Sequence, residues 1–324
     1  MIGEQSRVAT RKVDWSLALD KYGIILVFLA ICIMLSFLSP VFLTMRNVLN
    51  VFRQVSITGI MGVGMTFVIL TGGIDLSVGS LLALAGVLAA GLQVNHGAGP
   101  FLMTVLPILA VTSLGLLVGF TITKFKIPPF VATLGMMSAA RGLALIYTNG
   151  YPISGLSQSF RVLGSGMIGP VPVPVVIYLF VVVVGAVILA QTKFGRYVYA
   201  IGGNEEAVRL SGIPTHRYKI IIYGISAFTA ALSGVILAAR LSSGQPTAGE
   251  GYELDVIAAV VIGGTSLMGG RGGIFGTFIG ALLIGVLTNG FNLLNISPFY
   301  QQFVKGIIIV AAVIMEQLRS RESD

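Results

Sequence analysis

Between Arg53 and Lys124 the chain carries a single charged side chain, Asp75, set in TGGIDLSVGS between two glycines and a small serine cluster. A carboxylate in so apolar a stretch has two uses. It can accept hydrogen bonds from exposed N–H groups at the start of the following helix, or it can pair with a distant cation such as Arg141 or Arg271 in a moving part. Arg141 is equally isolated, eleven residues into an apolar run that begins at Phe130, or ~16 Å along a helix and near the middle of a ~30 Å hydrocarbon layer. An arginine at that depth faces protein or a water-filled cavity unless it snorkels to an interface. Asn289 and Asn292, three residues apart on one helical face, offer amides to solute hydroxyls or to a neighbouring helix. No grouping of Ser, His and Asp and no pair of carboxylates stands out, and neither histidine has a metal-binding neighbourhood. The residues therefore predict no catalytic site, no metal site and no cofactor held by this chain.

Elements that could position these groups follow from composition. Of 324 residues, 55% are hydrophobic, only 10% are charged and 42 are glycine. That leaves too little polar surface for a soluble globule and fits membrane helices, which tolerate glycine. The expected fold is an all-α polytopic membrane protein, a single domain over 1–324, with about ten transmembrane helices, some broken or re-entrant. Mainly apolar stretches near the ~20 residues that a span requires lie at 24–38, 55–70, 76–93, 101–121, 130–147, 173–189, 220–239, 256–268, 274–294 and 299–315, with Arg141 and Lys305 the charged residues inside them. The net charge of +8 arises from basic residues between these runs, which suits cytoplasmic loops and argues against nucleic acid as a partner. An even count puts the tail 1–22, KFK at 124–126, the insert 191–219 and the carboxy-terminal RSRESD on one side, the cytoplasm. Arg46 and Arg53 fall on the other side and are read as interfacial residues that snorkel to the headgroups of membrane lipid.

Two features break the regular alternation. Residues 57–80 echo 254–277, with GG over GG and VGS over FGT, so that a span ends in glycines, turns and re-enters as a helix in both. Glycines that interrupt hydrophobic segments at corresponding positions point to broken helices around a transport pathway. A shared glycine-rich composition accounts for the echo equally well. The insert contains GGNEEAVRLSGIP, the grammar of a two-turn helix. Asn204 caps it, Glu205 and Glu206 suit its first turn, Ala207, Val208 and Leu210 give an apolar side, and Gly212 with Pro214 ends it. On these grounds alone it is either a docking element or a segment resting on the membrane. No GxxxxGK[ST] loop occurs, so any nucleotide must be bound by another chain.

Four stretches carry a resemblance: GRYVYAIGGNEEAVRLSGI, GMTFVILTGGIDLSVGSLLALAG, RLSSGQPTAGEGYELDVIAAVVIGGTSLMGG and GTFIGALLIGVLTNGFNLL. They resemble the permease subunits of bacterial carbohydrate ABC importers, most closely the arabinose/ribose subfamily, and the likeness spans nearly the whole chain. It implies two permease copies in the inner membrane, two ATP-binding subunits beneath that hold ATP and Mg, and a periplasmic sugar-binding protein above. It further implies that the short cytoplasmic helix, with its EAA-like sequence, sits in a cleft of the ATPase. Asn204, Glu205, Glu206, Ala207, Arg209, Leu210 and Gly212 would then couple the two subunits, although Glu206 stands where the family often has alanine and the glycine is displaced by one. Asp75, Arg141, Asn289 and Asn292 become candidates for the translocation path. Ribose is the implied cargo, ahead of xylose, galactose or arabinose. An ion-coupled secondary sugar carrier, for which the broken helices and Asp75 would be the evidence, is the competing reading.

Overall fold

The computed structural model describes residues 15–322, so residues 1–14 of the expected tail lie outside the described residues. Helix α1 already begins at Trp15 and runs to Leu38, where a tail to residue 22 was expected. The chain continues through α2 (Met45–Leu70), α3 (Val78–His96), α4 (Pro100–Phe125) and α5 (Pro129–Thr148). After α5 come β1 (Ile153–Ser154), α6 (Gln158–Ser165), β2 (Met167–Ile168) and β3 (Val171–Pro172), the last two forming a small hairpin. Next are α7 (Val173–Gln191), α8 (Lys193–Leu210), α9 (Thr215–Leu241), β4 (Ser243–Gly244), α10 (Tyr252–Ile262), α11 (Ile274–Leu293) and α12 (Pro298–Glu322). Among the described residues, seven helices are long and apolar enough to cross a membrane: α2, α3, α4, α5, α7, α9 and α11. An eighth apolar stretch, Gly23–Leu38, belongs to α1. The protein is thus an all-α polytopic membrane protein.

Helix α9 is the central post, packed on α2, α3 and α4. Small residues make this possible. Gly234 lies against the Leu82 carbonyl of α3, Gly64 of α2 lies against the Ser226 backbone, and Gly115 and Gly119 of α4 lie against Tyr223 and Ile220. Where water cannot drive helices together, such close backbone approaches supply the van der Waals contact that holds a bundle.

One expected span differs in kind. An apolar run at 256–268 suggested a helix, but α10 starts earlier, at Tyr252, and stops at Ile262. Gly251 in a left-handed conformation (φ 80°) starts it, and Gly264 (φ 87°) carries the turn that follows. Eleven residues make a rod of only ~16 Å, about half a bilayer core. A non-helical leg of turns over 245–251 supplies the rest. β4 pairs antiparallel with β1, just beyond the end of α5, whereas Pro246 and Ala248 lie beside Arg141, seven residues before that end. The chain therefore dips back some ~10 Å along α5 before α10 begins.

The internal echo has a structural counterpart. α2 and α3 are joined through a glycine turn, as are α10 and α11, and in the register of the echo Gly72 (φ 72°) lies over Gly269 (φ 89°). The two units also touch. Gly270 N–H donates to the Leu70 carbonyl at 2.9 Å, and the hydroxyls of Thr66 and Thr277 bond at 2.7 Å. Gly202 of α8 lies directly on this junction, its Cα against the Leu70 carbonyl and the Gly270 amide, while the adjacent Gly203 faces open space. Gly202→Ala should therefore lower the thermal unfolding temperature of the detergent-solubilised protein by several degrees, in line with about 1–3 kcal/mol for overpacking. Gly203→Ala should leave it unchanged; equal effects of the two would contradict this packing.

Candidate functional site

The dipping leg sets the chemistry of the site. Its backbone is not helical, so its carbonyls need partners that the hydrocarbon cannot give. Arg141 provides them from the middle of α5: its Nη1 donates to the Pro246 carbonyl at 2.5 Å and to the Ala248 carbonyl at 2.9 Å. Beside this bracket is a cavity of ~270 Å³ lined by Ser80 of α3, Met137, Ser138 and Arg141 of α5, and Glu250, Gly251 and Glu253 at the head of α10. Such a volume lies just below the ~300–1,000 Å³ of drug-sized ligand sites. Glu250 and Glu253 were not among the sequence candidates, because they read as part of a polar connection. The available signal was their place next to an apolar run too short for a full span.

Asp75 is 2% exposed. Its Oδ1 accepts from the Ser77 amide at 2.9 Å and the Ser77 hydroxyl at 2.6 Å, and its Oδ2 accepts from the Ser226 hydroxyl of α9 at 2.7 Å. The carboxylate thus holds the turn 71–77 closed ahead of α3 and ties it to the central post, and both of its oxygens are engaged. Arg141 is committed to the leg instead.

Asn289 and Asn292 serve helix contacts. Asn289, 4% exposed, forms a reciprocal amide pair with Asn47 of α2 at 2.9 Å in each direction, and Asn47 also donates to the Phe42 carbonyl. Asn292 accepts from Gln301 of α12 at 3.0 Å. Of the two uses open to them in the sequence, the structure contains the one in which they join neighbouring helices. A further pair was not anticipated: Lys305 of α12 bonds Asp255 of α10 at 2.8 Å, with both side chains at most one fifth exposed.

The polar insert folds as α8, which is broken at Asn204 (φ −159°, ψ 94°). Asn204 Oδ1 accepts from the Ala207 amide at 2.9 Å, the cap that its position predicted. Glu206 pairs with Arg209 at 2.6 Å, a contact that holds its carboxyl below the usual carboxylate range. Glu205 reaches Lys219 of α9 at 2.6 Å, which fastens the short helix to the central post. At its end Gly212 takes φ 83° while the amides of Gly212 and Ile213 donate to the Arg209 and Val208 carbonyls. Of the expected apolar side, Val208 turns inward, whereas Ala207 is exposed and Leu210 is 76% exposed.

A bundle of apolar helices with a re-entrant half-helix, a polar cavity at its head and a capped helix outside the bundle defines a membrane permease. Residues 47–313 match the family described as branched-chain amino acid transport system / permease component, and the chain belongs to that family. It is similar to the ribose import permease protein RbsC of Bacillus subtilis (strain 168), with 49% identity over 319 residues, covering 98% of this chain and 99% of the relative. RbsC of Escherichia coli (strain K12) is 49% identical over 296 residues, 89% of this chain and 91% of the relative. The L-arabinose transport system permease protein AraH of Escherichia coli (strain K12) is 40% identical over 302 residues, 93% of this chain and 92% of the relative. No solved structure matches the chain.

The bracket at Arg141 makes a direct prediction. Arg141→Leu strands two carbonyls, at roughly 1–3 kcal/mol for each unsatisfied group, so amide exchange across 245–251 should rise at least tenfold. Arg141→Lys should recover part of the protection, because an ammonium can donate to a carbonyl without the planar fork. Unchanged exchange in Arg141→Leu would mean that the leg is held by something else.

Proposed function

We propose that this chain is the membrane-embedded permease subunit of an ATP-driven ABC importer and that its cargo is ribose. The observation that carries this reading is the 49% identity to a ribose import permease over practically the full length of both chains. The chain itself is a transport component and not an enzyme. ATP and Mg belong to a separate ATP-binding subunit, and the sugar is delivered by a periplasmic binding protein. A second copy of the permease completes the path. The home of the assembly is the bacterial inner membrane, with both termini and the insert 191–219 in the cytoplasm, as the concentration of Lys and Arg in that insert favours. The carrier alternative is not favoured: Asp75, one of the two features that would support it, already has both carboxylate oxygens bonded to Ser77 and Ser226.

Coupling runs through the short helix 204–210. Leu210 and Ala207, exposed on its outer side, enter a cleft of the ATPase, with Glu206 and Arg209 at the rim. Val208 and the Glu205–Lys219 pair hold the helix to the permease, so that it moves as part of it. Asn204 and Gly212 set its two ends, where a direction change is needed and a side chain at Gly212 would strain the left-handed backbone.

Two measurements test this reading. In a Cys32→Ser background, a membrane-impermeant thiol reagent applied to intact cells should label Ser159→Cys and spare Ser211→Cys; the opposite pattern would invert the topology. In the assembled complex, Ala207→Cys should cross-link to the ATP-binding subunit and not to the sugar-binding protein, and Gly212→Val should uncouple ATP hydrolysis from ribose uptake. Absence of the cross-link together with normal uptake by Gly212→Val would reduce the insert to a surface loop.

A further inference from the structure

The cavity at the head of α10 combines groups that do not belong in contact with lipid. Arg141, Glu250 and Glu253 converge there with the hydroxyls of Ser80 and Ser138, in a protein whose neighbouring helix faces are apolar. Ionisable groups at such a depth face water or protein. The site offers hydrogen-bond acceptors in two carboxylates, a donor in the guanidinium and both functions in the serines, which is the complement that a polyhydroxylated molecule needs. It is unsuited to an anion. Phosphate sites exploit a helix N-terminus and excess positive charge, whereas here the first turn of α10 already carries Glu253 and Asp255. With one cation against two carboxylates, the lining has a net charge of −1. A metal cation is opposed in turn by Arg141, and among the described residues no group of three or more His, Cys, Asp and Glu side chains is placed to hold one. Space for Glu253 is built in: a Cβ on Gly79 of α3 would lie 2.5 Å from its Oε2.

We propose that this cavity is a contact station for an uncharged sugar on its way through the permease, with Glu250 and Glu253 accepting from its hydroxyls and Ser80, Ser138 and Arg141 donating to it. The negative lining makes the station a charge filter that turns away phosphorylated sugars. The inference rests on the permease reading and adds to it a location and a selectivity.

The test is a protection assay that requires no ATP. In the purified importer carrying Cys32→Ser and Ser138→Cys, a small water-soluble thiosulfonate should modify the new cysteine. Ribose at tens of millimolar should slow that reaction several-fold, and ribose 5-phosphate at the same concentration should not. Replacing both acids, Glu250→Gln with Glu253→Gln, leaves Arg141 as the sole charge, so ribose 5-phosphate should now protect. A cysteine that fails to react, or whose reaction ribose does not slow, would overturn the station. Equal protection by the two sugars in the parent would overturn the filter. Uptake of ribose by the importer with Ser138 intact, with and without ATP, is measured alongside; absence of that activity would overturn the permease reading, while the protection assay decides the station by itself.

Discussion

A backbone carbonyl in hydrocarbon has no water to bond, and that constraint organises the part of this protein that is not helix. Leaving α9, the chain pairs briefly with β1 through β4 and then turns back into the bundle over 245–251, which leaves the carbonyls of Pro246 and Ala248 outside any helix or sheet ladder. Arg141 meets the need from α5 by bonding the carbonyls of Pro246 and Ala248. Once the leg is fixed, α10 can begin at Tyr252 within the bundle rather than at its end. Its acidic first turn then lies beside Arg141, and the polar cavity results. The arginine is thus structural and chemical at once. It holds the backbone that brings Glu250 and Glu253 to it.

At the other end of α10 the constraint is steric. The turns after α2 and after α10 approach each other so closely that the Gly270 amide reaches the Leu70 carbonyl, and α8 crosses them at Gly202. Three chain segments can share that volume only because glycines stand at the contacts. Asp75 adds a directional restraint by gathering the Ser77 amide and the Ser77 and Ser226 hydroxyls, so the turn 71–77 cannot shift without the central helix α9. The junction is therefore stiff, and it is where the capped helix 204–210 joins the bundle.

Local signals were readable in the sequence and long-range ones were not. The apolar runs placed most spans to within a few residues, and Asn204 and Gly212 marked the ends of the short helix because capping and left-handed turns are decided by adjacent residues. The glycine pairs marked the two turns for the same reason. The run 256–268 misled, since hydrophobicity continues past Ile262 while Gly263 and Gly264 end the helix. Partnerships across the fold had no local trace: Arg141 bonds residues more than a hundred positions away, and Asn289 pairs with Asn47, 242 positions distant. Asp255 and Lys305, fifty positions apart, meet only because α10 packs on α12.

Helix α10 joins these two regions, and its shortness matters. Glu253 at its head borders the cavity, Asp255 in the same first turn is tied to Lys305 of α12, and its tail runs through Gly263 and Gly264 into the turn that lies on α8. A full span would be anchored at both membrane surfaces and would resist sliding along its axis. A rod of ~16 Å covers about half of a bilayer core, with its head inside the bundle. Displacement of α8 by a partner subunit would bear first on the Gly202 contact, then on the turn 263–273, and would reach the carboxylates through a single rigid element. The Lys305 pair would set the resistance to that movement, because parting a largely buried ion pair is strongly unfavourable. The half-helix thus forms a continuous route in the fold between the junction on which α8 lies and the polar cavity.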